Sequence, residues 1–124
     1  MQITSGIDIV NVERIKEKIK KSKEQFLNKI FTENEIKYCE SRNVNKYLSY
    51  AARFAAKEAA YKAVSNIIKD KSKMTWKTFE VENVENGKPN LKINLDNLEN
   101  IESLDLSLSH EKEYAIANVI ILWK

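Results

Sequence analysis

The stretch RFAAKEAAYKAV, residues 53–64, sets Arg53, Lys57, Glu58 and Lys62 among closely spaced alanines. On a helix turning about 100° per residue from Arg53, Lys57 falls at about 40°, Tyr61 at about 80°, Glu58 at about 140° and Lys62 at about 180°. Most of Ala52, Ala55, Ala56, Ala59, Ala60 and Ala63 fall on the opposite arc, where small side chains allow close approach to a neighbour. Three cations flanking one carboxylate suit a polyphosphate: the cations face its oxygens and the carboxylate holds a bridging Mg²⁺. The same spacing describes a solvated helix face with a Glu58–Lys62 pair. Both readings stand at this point.

Asp8 is an acid inside the apolar run GIDIV, where aspartate is disfavoured in a strand. Mg²⁺ is commonly held by two carboxylates together with substrate phosphates, so Asp8 and Glu58 form a pair if the first strand packs beside the helix. A strand-end Asp8 pointing to solvent is the simpler alternative. His110 is the only histidine and closes the alternating run SLDLSLSH. NGKP, residues 86–89, reads as a hairpin turn.

The elements that must hold these groups follow from periodicity. Residues 3–10 alternate as a strand, with Ile3, Ile7 and Ile9 on one face and Asp8 and Val10 on the other. Asn11 suits an N-cap for a helix to about Lys23 with Val12, Ile15 and Ile19 as its stripe. Phe26, Leu27 and Ile30 continue the apolar spacing to Phe31, and Thr32 with Glu35 makes a capping box for a helix to about Glu40. A long helix follows from about Lys46 to Ile68. Residues 75–83 alternate as a strand, Asn86–Gly87 signals a tight turn, and LKINL returns as a second strand. DNLENI holds a short helix. SLDLSLSH and EYAIANVIILW form two last strands around a turn near Glu111–Lys112. The expected architecture is α+β, one domain over residues 1–124, with helices packed on a mostly antiparallel sheet.

Composition bounds the function. A net charge of +3, from 21 basic and 18 acidic side chains, carries no general bias toward nucleic acid. Positive charge is concentrated instead on residues 12–23, where Arg14, Lys18 and Lys21 share one helix face suited to an acidic partner. That helix also keeps open a small basic nucleic-acid-binding domain, although it carries few aromatics to stack bases. Only Arg14, Arg42 and Arg53 are arginines, which hints at a need for forked geometry there. Cys39 is the single cysteine, so no intrachain disulfide forms. MQITSGIDIV turns polar too quickly for a signal peptide, and no run reaches the roughly 20 apolar residues of a membrane span. A cytoplasmic location is expected.

GIDIVNVERI (6–15), FTENEIKYC (31–39), RFAAKEAAYKA (53–63), NGKP (86–89) and SLSHEKEYAIANVI (107–120) together resemble the holo-acyl-carrier-protein synthase family of small 4′-phosphopantetheinyl transferases. The resemblance runs through essentially the whole chain. It implies the family's α+β fold and transfer of the phosphopantetheine arm of coenzyme A to a serine of apo acyl carrier protein, releasing adenosine 3′,5′-bisphosphate in support of fatty acid biosynthesis. It also implies that Asp8 and Glu58 hold Mg²⁺ and, with Lys62, are catalytic. Lys57 and Lys62 would face phosphate oxygens, with Arg53, Pro89 and His110 along the coenzyme A site. Arg14, Lys18 and Lys21 would dock the carrier protein, and the assembly would be a homotrimer with active sites between subunits. Neither nucleic acid nor membrane is implied. Ser65-Asn66-Ile67 stands where the family usually has a glycine-rich turn, and Glu111 where it tends to have a small hydroxyl or Asp. A carrier-binding subunit of the same fold without turnover is the alternative that this departure keeps open.

Overall fold

The computed structural model describes residues 1–83, 87–96 and 98–124. The chain opens with β1 (Gln2–Asn11) and continues through α1 (Val12–Lys21), α2 (Lys23–Ile30), α3 (Glu33–Glu40) and α4 (Lys46–Val64). β2 (Phe79–Asn83), β3 (Pro89–Ile93), β4 (Ile101–Glu111) and β5 (Tyr114–Trp123) complete it. β1, β5 and β4 form an antiparallel sheet in that order, with β5 central, and β2 pairs antiparallel with β3. This is the expected α+β arrangement, with its sheet in two parts. Among the described residues, no helix is long and apolar enough to cross a membrane.

Local signals fixed several boundaries. The Asn11 Oδ1 accepts from the Arg14 N–H at 3.1 Å and starts α1. Thr32 and Glu35 form the reciprocal capping box of α3, each side chain accepting from the other's backbone N–H. α4 packs its alanines on β1 and β5; Ala55, Ala56, Ala59, Ala60 and Ala63 join Val119, Ile121 and Trp123 in one core. A second core gathers Ile15, Ile19, Leu27, Ile30, Phe31 and Tyr50 between the helices.

Gly6 shows how close α4 comes to β1. A Cβ there would lie 1.9 Å from the Ala59 carbonyl oxygen and 2.9 Å from its carbon, both backbone atoms. Gly6→Ala therefore forces strand and helix apart, and we expect a loss of about 3 kcal/mol, the upper end for overpacking. Urea unfolding measures it; a loss below about 0.5 kcal/mol, within the range of neutral surface changes, would contradict the contact.

Five expectations change. The first helical stretch breaks at Ser22, whose N–H returns to the Lys18 carbonyl, so α1 and α2 are separate. α4 ends at Val64 rather than Ile68. The Ser65 hydroxyl takes the Lys62 carbonyl, and the N–H groups of Ile67 and Ile68 both turn back to Val64. That turn needs no left-handed residue at Asn66, since the positive-φ non-glycine residues described are Asn43 and Lys112. Trp76–Thr78 is a 3₁₀ turn, not strand, because Thr75 and Thr78 cap it reciprocally. The described part of DNLENI is a bend and turn leading into β4, not a helix. The turn between β4 and β5 centres on Lys112 and Glu113. Asn86, half of the expected tight turn, lies outside the described residues; Gly87 has φ +80°.

The face of β1 that carries Ile3, Ile7 and Ile9 is open, at 69, 63 and 59 % exposure. Gly6, Asp8 and Val10 point the other way, toward α4, so the acid is on the inner side of the strand.

Candidate active site

The sequence-predicted residues separate into two clusters. The first joins Asp8 of β1 to Glu58 and Lys62 of α4. The Lys62 ammonium donates to the Ile7 carbonyl at 2.9 Å and pairs with the Asp8 Oδ1 at 3.3 Å. Burial, reinforced by the Asp8 charge and opposed by Lys62, raises the Glu58 carboxyl above the ordinary glutamate range. A carboxylate disfavoured in its charged form beside a second carboxylate makes a place for a cation. Their hard oxygens fit Mg²⁺, which keeps its remaining positions for water and substrate oxygens. Among the described residues no group of three or more His, Cys, Asp or Glu forms a metal site by itself. A cleft runs from Glu58 between Tyr61, Met74, Thr75, Trp76 and Phe79.

The second cluster lines a cleft of about 400 Å³, within the size range of small-ligand sites. Arg53, Pro89 and His110 meet there, joined by Tyr38, Arg42, Asn45, Ser49 and Asn83. Arg53 is 3 % exposed, yet its guanidinium Nε has no hydrogen-bond partner. One of its terminal nitrogens donates to the Asn83 Oδ1. The guanidinium lies 4.1 Å over the Tyr38 ring, and that of Arg42 lies 5.7 Å from the same ring. Two of the chain's three arginines thus stand at one cleft with an unused donor, an arrangement for an anion. Tyr38, Asn45, Ser49 and Asn83 carried no sequence signal; of the added residues only Arg42 stood out, by arginine scarcity.

Lys57 belongs to neither cluster, which corrects its expected place on phosphate oxygens. At 1 % exposure it is buried, and its ammonium pairs with the equally buried Glu35 at 2.7 Å. It also donates to the carbonyls of Trp76, at 3.2 Å, and Phe79. Its three N–H donors are therefore all used. The polar arc read from the helix wheel is split, with Arg53 and Lys57 inside and Glu58 and Lys62 toward the surface. Arg14, Lys18 and Lys21 are all exposed on α1.

The raised Glu58 carboxyl has a consequence for stability. The folded chain holds that proton at a pH where the unfolded chain has lost it, so stability falls as pH climbs through the window above the ordinary glutamate value. Glu58→Gln should raise the thermal midpoint at pH 7.5, and the gain should vanish below about pH 4. Mg²⁺ should raise the wild-type midpoint and leave that of Glu58→Gln unchanged. Thermal scans at both pH values, with and without Mg²⁺, read this; equal midpoints at pH 7.5 would contradict it.

Comparison with known proteins adds to this geometry. The model of the 4′-phosphopantetheinyl transferase superfamily matches residues 5–119. The chain is 47 % identical over 116 residues to the holo-[acyl-carrier-protein] synthase of Thermodesulfovibrio yellowstonii, covering 94 % of this chain and 95 % of that protein. It superimposes with a TM-score of 0.77 and 34 % identity on the Bacillus anthracis holo-(acyl-carrier-protein) synthase in complex with CoA (3′,5′-ADP), covering 95 % and 94 % of the two chains. The Helicobacter pylori holo-[acyl-carrier-protein] synthase in complex with coenzyme A matches with a TM-score of 0.82 and 31 % identity, over 95 % and 99 %.

Proposed function

The chain belongs to the 4′-phosphopantetheinyl transferase superfamily, and on that premise we propose that it transfers the 4′-phosphopantetheine group of coenzyme A to a serine of apo acyl carrier protein. The serine oxygen attacks the phosphorus that bears the pantetheine arm. The bond from that phosphorus to the bridging oxygen breaks, and adenosine 3′,5′-bisphosphate departs with the oxygen while the serine proton passes to water. The observation that carries this reading is the Asp8–Glu58 pair facing Lys62 across β1 and α4.

Asp8 and Glu58 would hold Mg²⁺, which when bound supplies positive charge to the pyrophosphate oxygens. Lys62 is half exposed and held by Asp8 and the Ile7 carbonyl, which keeps its ammonium beside the position of the same oxygens. Arg53, with its spare donor, binds a phosphate of coenzyme A at the second cluster, and Pro89 and His110 complete that wall. Arg14, Lys18 and Lys21 steer the acidic carrier protein, an effect that salt weakens. The reaction serves fatty acid biosynthesis in the cytoplasm.

The two clusters lie on different faces of α4, each with half of the groups one coenzyme A molecule needs. The apolar face of Ile3, Ile7, Ile9 and Ile120 is uncovered in one subunit, as at an interface. Both features support a homotrimer in which Asp8, Glu58 and Lys62 of one subunit meet Arg53 and His110 of the next. Glu58→Ala and Arg53→Gln should each be inactive alone. Mixed after dissociation and reassembled at random, they should regain activity at about one site in four. No recovery with mixed trimers present would place both clusters in one subunit's site.

Transfer itself is tested by release of adenosine 3′,5′-bisphosphate from coenzyme A. Release should require apo carrier protein and stop when the carrier's acceptor serine is alanine. Release that ignores the carrier would make the protein a hydrolase instead.

A further inference from the structure

The cleft that opens from Glu58 has a wall with little regular structure of its own. Met74, Thr75, Trp76 and Phe79 come from a turn and the first residue of β2. Two devices hold this wall to α4. The Trp76 ring stacks on Phe54 at 5.0 Å. The Lys57 ammonium takes the carbonyls of Trp76 and Phe79. Lys57 in turn is held by Glu35, whose other bonds reach the cap of its own helix and β2. Its Oε1 accepts from the Thr32 N–H at 3.0 Å, and its Oε2 from the Val81 N–H of β2 at 2.8 Å. Glu35 thus ties α3, α4 and β2 at one buried point.

We propose that Glu35, acting through Lys57, is a positioning residue that fixes the cleft wall against which the pantetheine arm of coenzyme A lies. The inference rests on the transferase reading. The arm is an uncharged chain attached to the reacting phosphate. The cleft begins at Glu58, where that phosphate would sit, and continues between apolar and aromatic side chains. The charged adenosine bisphosphate end has its matching cations in the other cluster. Loosening the wall should therefore weaken the hold on the arm and leave the bisphosphate end unaffected. A purely structural ion pair would change the amount of folded protein and nothing about ligand choice.

The test separates stability from positioning. In Glu35→Leu/Lys57→Met the buried charges leave together, which avoids the unpaired charge of either single change. The carbonyls of Trp76 and Phe79 still lose their donor. Titration calorimetry with Mg²⁺ present compares coenzyme A with adenosine 3′,5′-bisphosphate on wild type and variant. The expected result is about a tenfold or larger loss of affinity for coenzyme A, equivalent to about 1.4 kcal/mol, with the bisphosphate bound as before. The KM for coenzyme A should rise while that for carrier protein holds. Glu35→Gln, which keeps the size and removes the charge, should shift the same ratio in the same direction and serves if the double variant does not fold. An equal change for both ligands, or none for either, overturns the positioning role. A wild-type protein that binds neither ligand overturns the transferase reading and this inference with it.

Discussion

Asp8→Ala and Glu58→Ala should each lower kcat/KM for carrier modification about a thousandfold or more, with the fold intact. The reason is concentration of task. Phosphoryl transfer needs charge stabilisation on the phosphorus oxygens and the departing oxygen more than it needs covalent help. On the proposed reading Lys62 supplies an ammonium for that purpose, and Asp8 and Glu58 would hold the Mg²⁺ that supplies further positive charge. Removing either carboxylate leaves a single ligand, which rarely retains Mg²⁺. The fold should survive because burial and the Asp8 charge both disfavour ionised Glu58, a cost that either change relieves. Steady-state kinetics beside thermal unfolding measure both halves of the expectation. Activity within tenfold of wild type would remove that carboxylate from the site. Activity lost together with the thermal transition would make its role structural.

Lys57→Met should cost about 3–5 kcal/mol of stability, the range for breaking a buried pair from one side. Glu35 is fully buried and would keep the Thr32 and Val81 N–H bonds but lose its counter-charge. The carbonyls of Trp76 and Phe79 would lose a donor as well. Burial pushes the Lys57 ammonium toward its neutral form, and Glu35 opposes this, so the pair persists as a mutual dependence. Removing both charges together should recover part of the loss, since neither member of the pair is then left as an unpaired buried charge, while the backbone groups that the two side chains served stay without those partners. Urea midpoints of the single and double variants decide it. A single-variant loss below about 1 kcal/mol would mean that the buried contact has no energetic weight.

The parts legible in the sequence are those settled within a few residues. Asn11 and the Thr32–Glu35 box announced their helix starts because capping is local. The alanines of α4 announced close packing, and Gly6 is the position on β1 that this packing presses hardest. The pairing of Asp8 with the Glu58–Lys62 edge was legible as a pattern, conditional on a strand lying beside that helix. What the sequence hid depends on distant neighbours. Arg53 and Lys57 lie on the wheel beside Glu58, yet α3 and β2 cover them and turn them inward. Their partners include backbone carbonyls and Asn83, which no spacing rule marks. Thr75–Thr78 alternates well enough for a strand, but its threonines cap a turn whose carbonyls serve Lys57. Glu35 was readable as a cap, while its second oxygen reaches across to Val81. The alternation placed the isoleucines of β1 together on one face, but it could not say that this face is the open one.

The central claim is the transfer, and its most direct measurement is the intact mass of apo acyl carrier protein. The carrier would be incubated with this protein, coenzyme A and Mg²⁺, with an EDTA control. A gain of one phosphopantetheine is expected, which EDTA abolishes and Glu58→Ala fails to produce. A folded carrier from the same source that binds the protein yet gains no mass would contradict it. The chain would then be a carrier-binding subunit without turnover, with the Ser65–Ile67 turn as the place to look first.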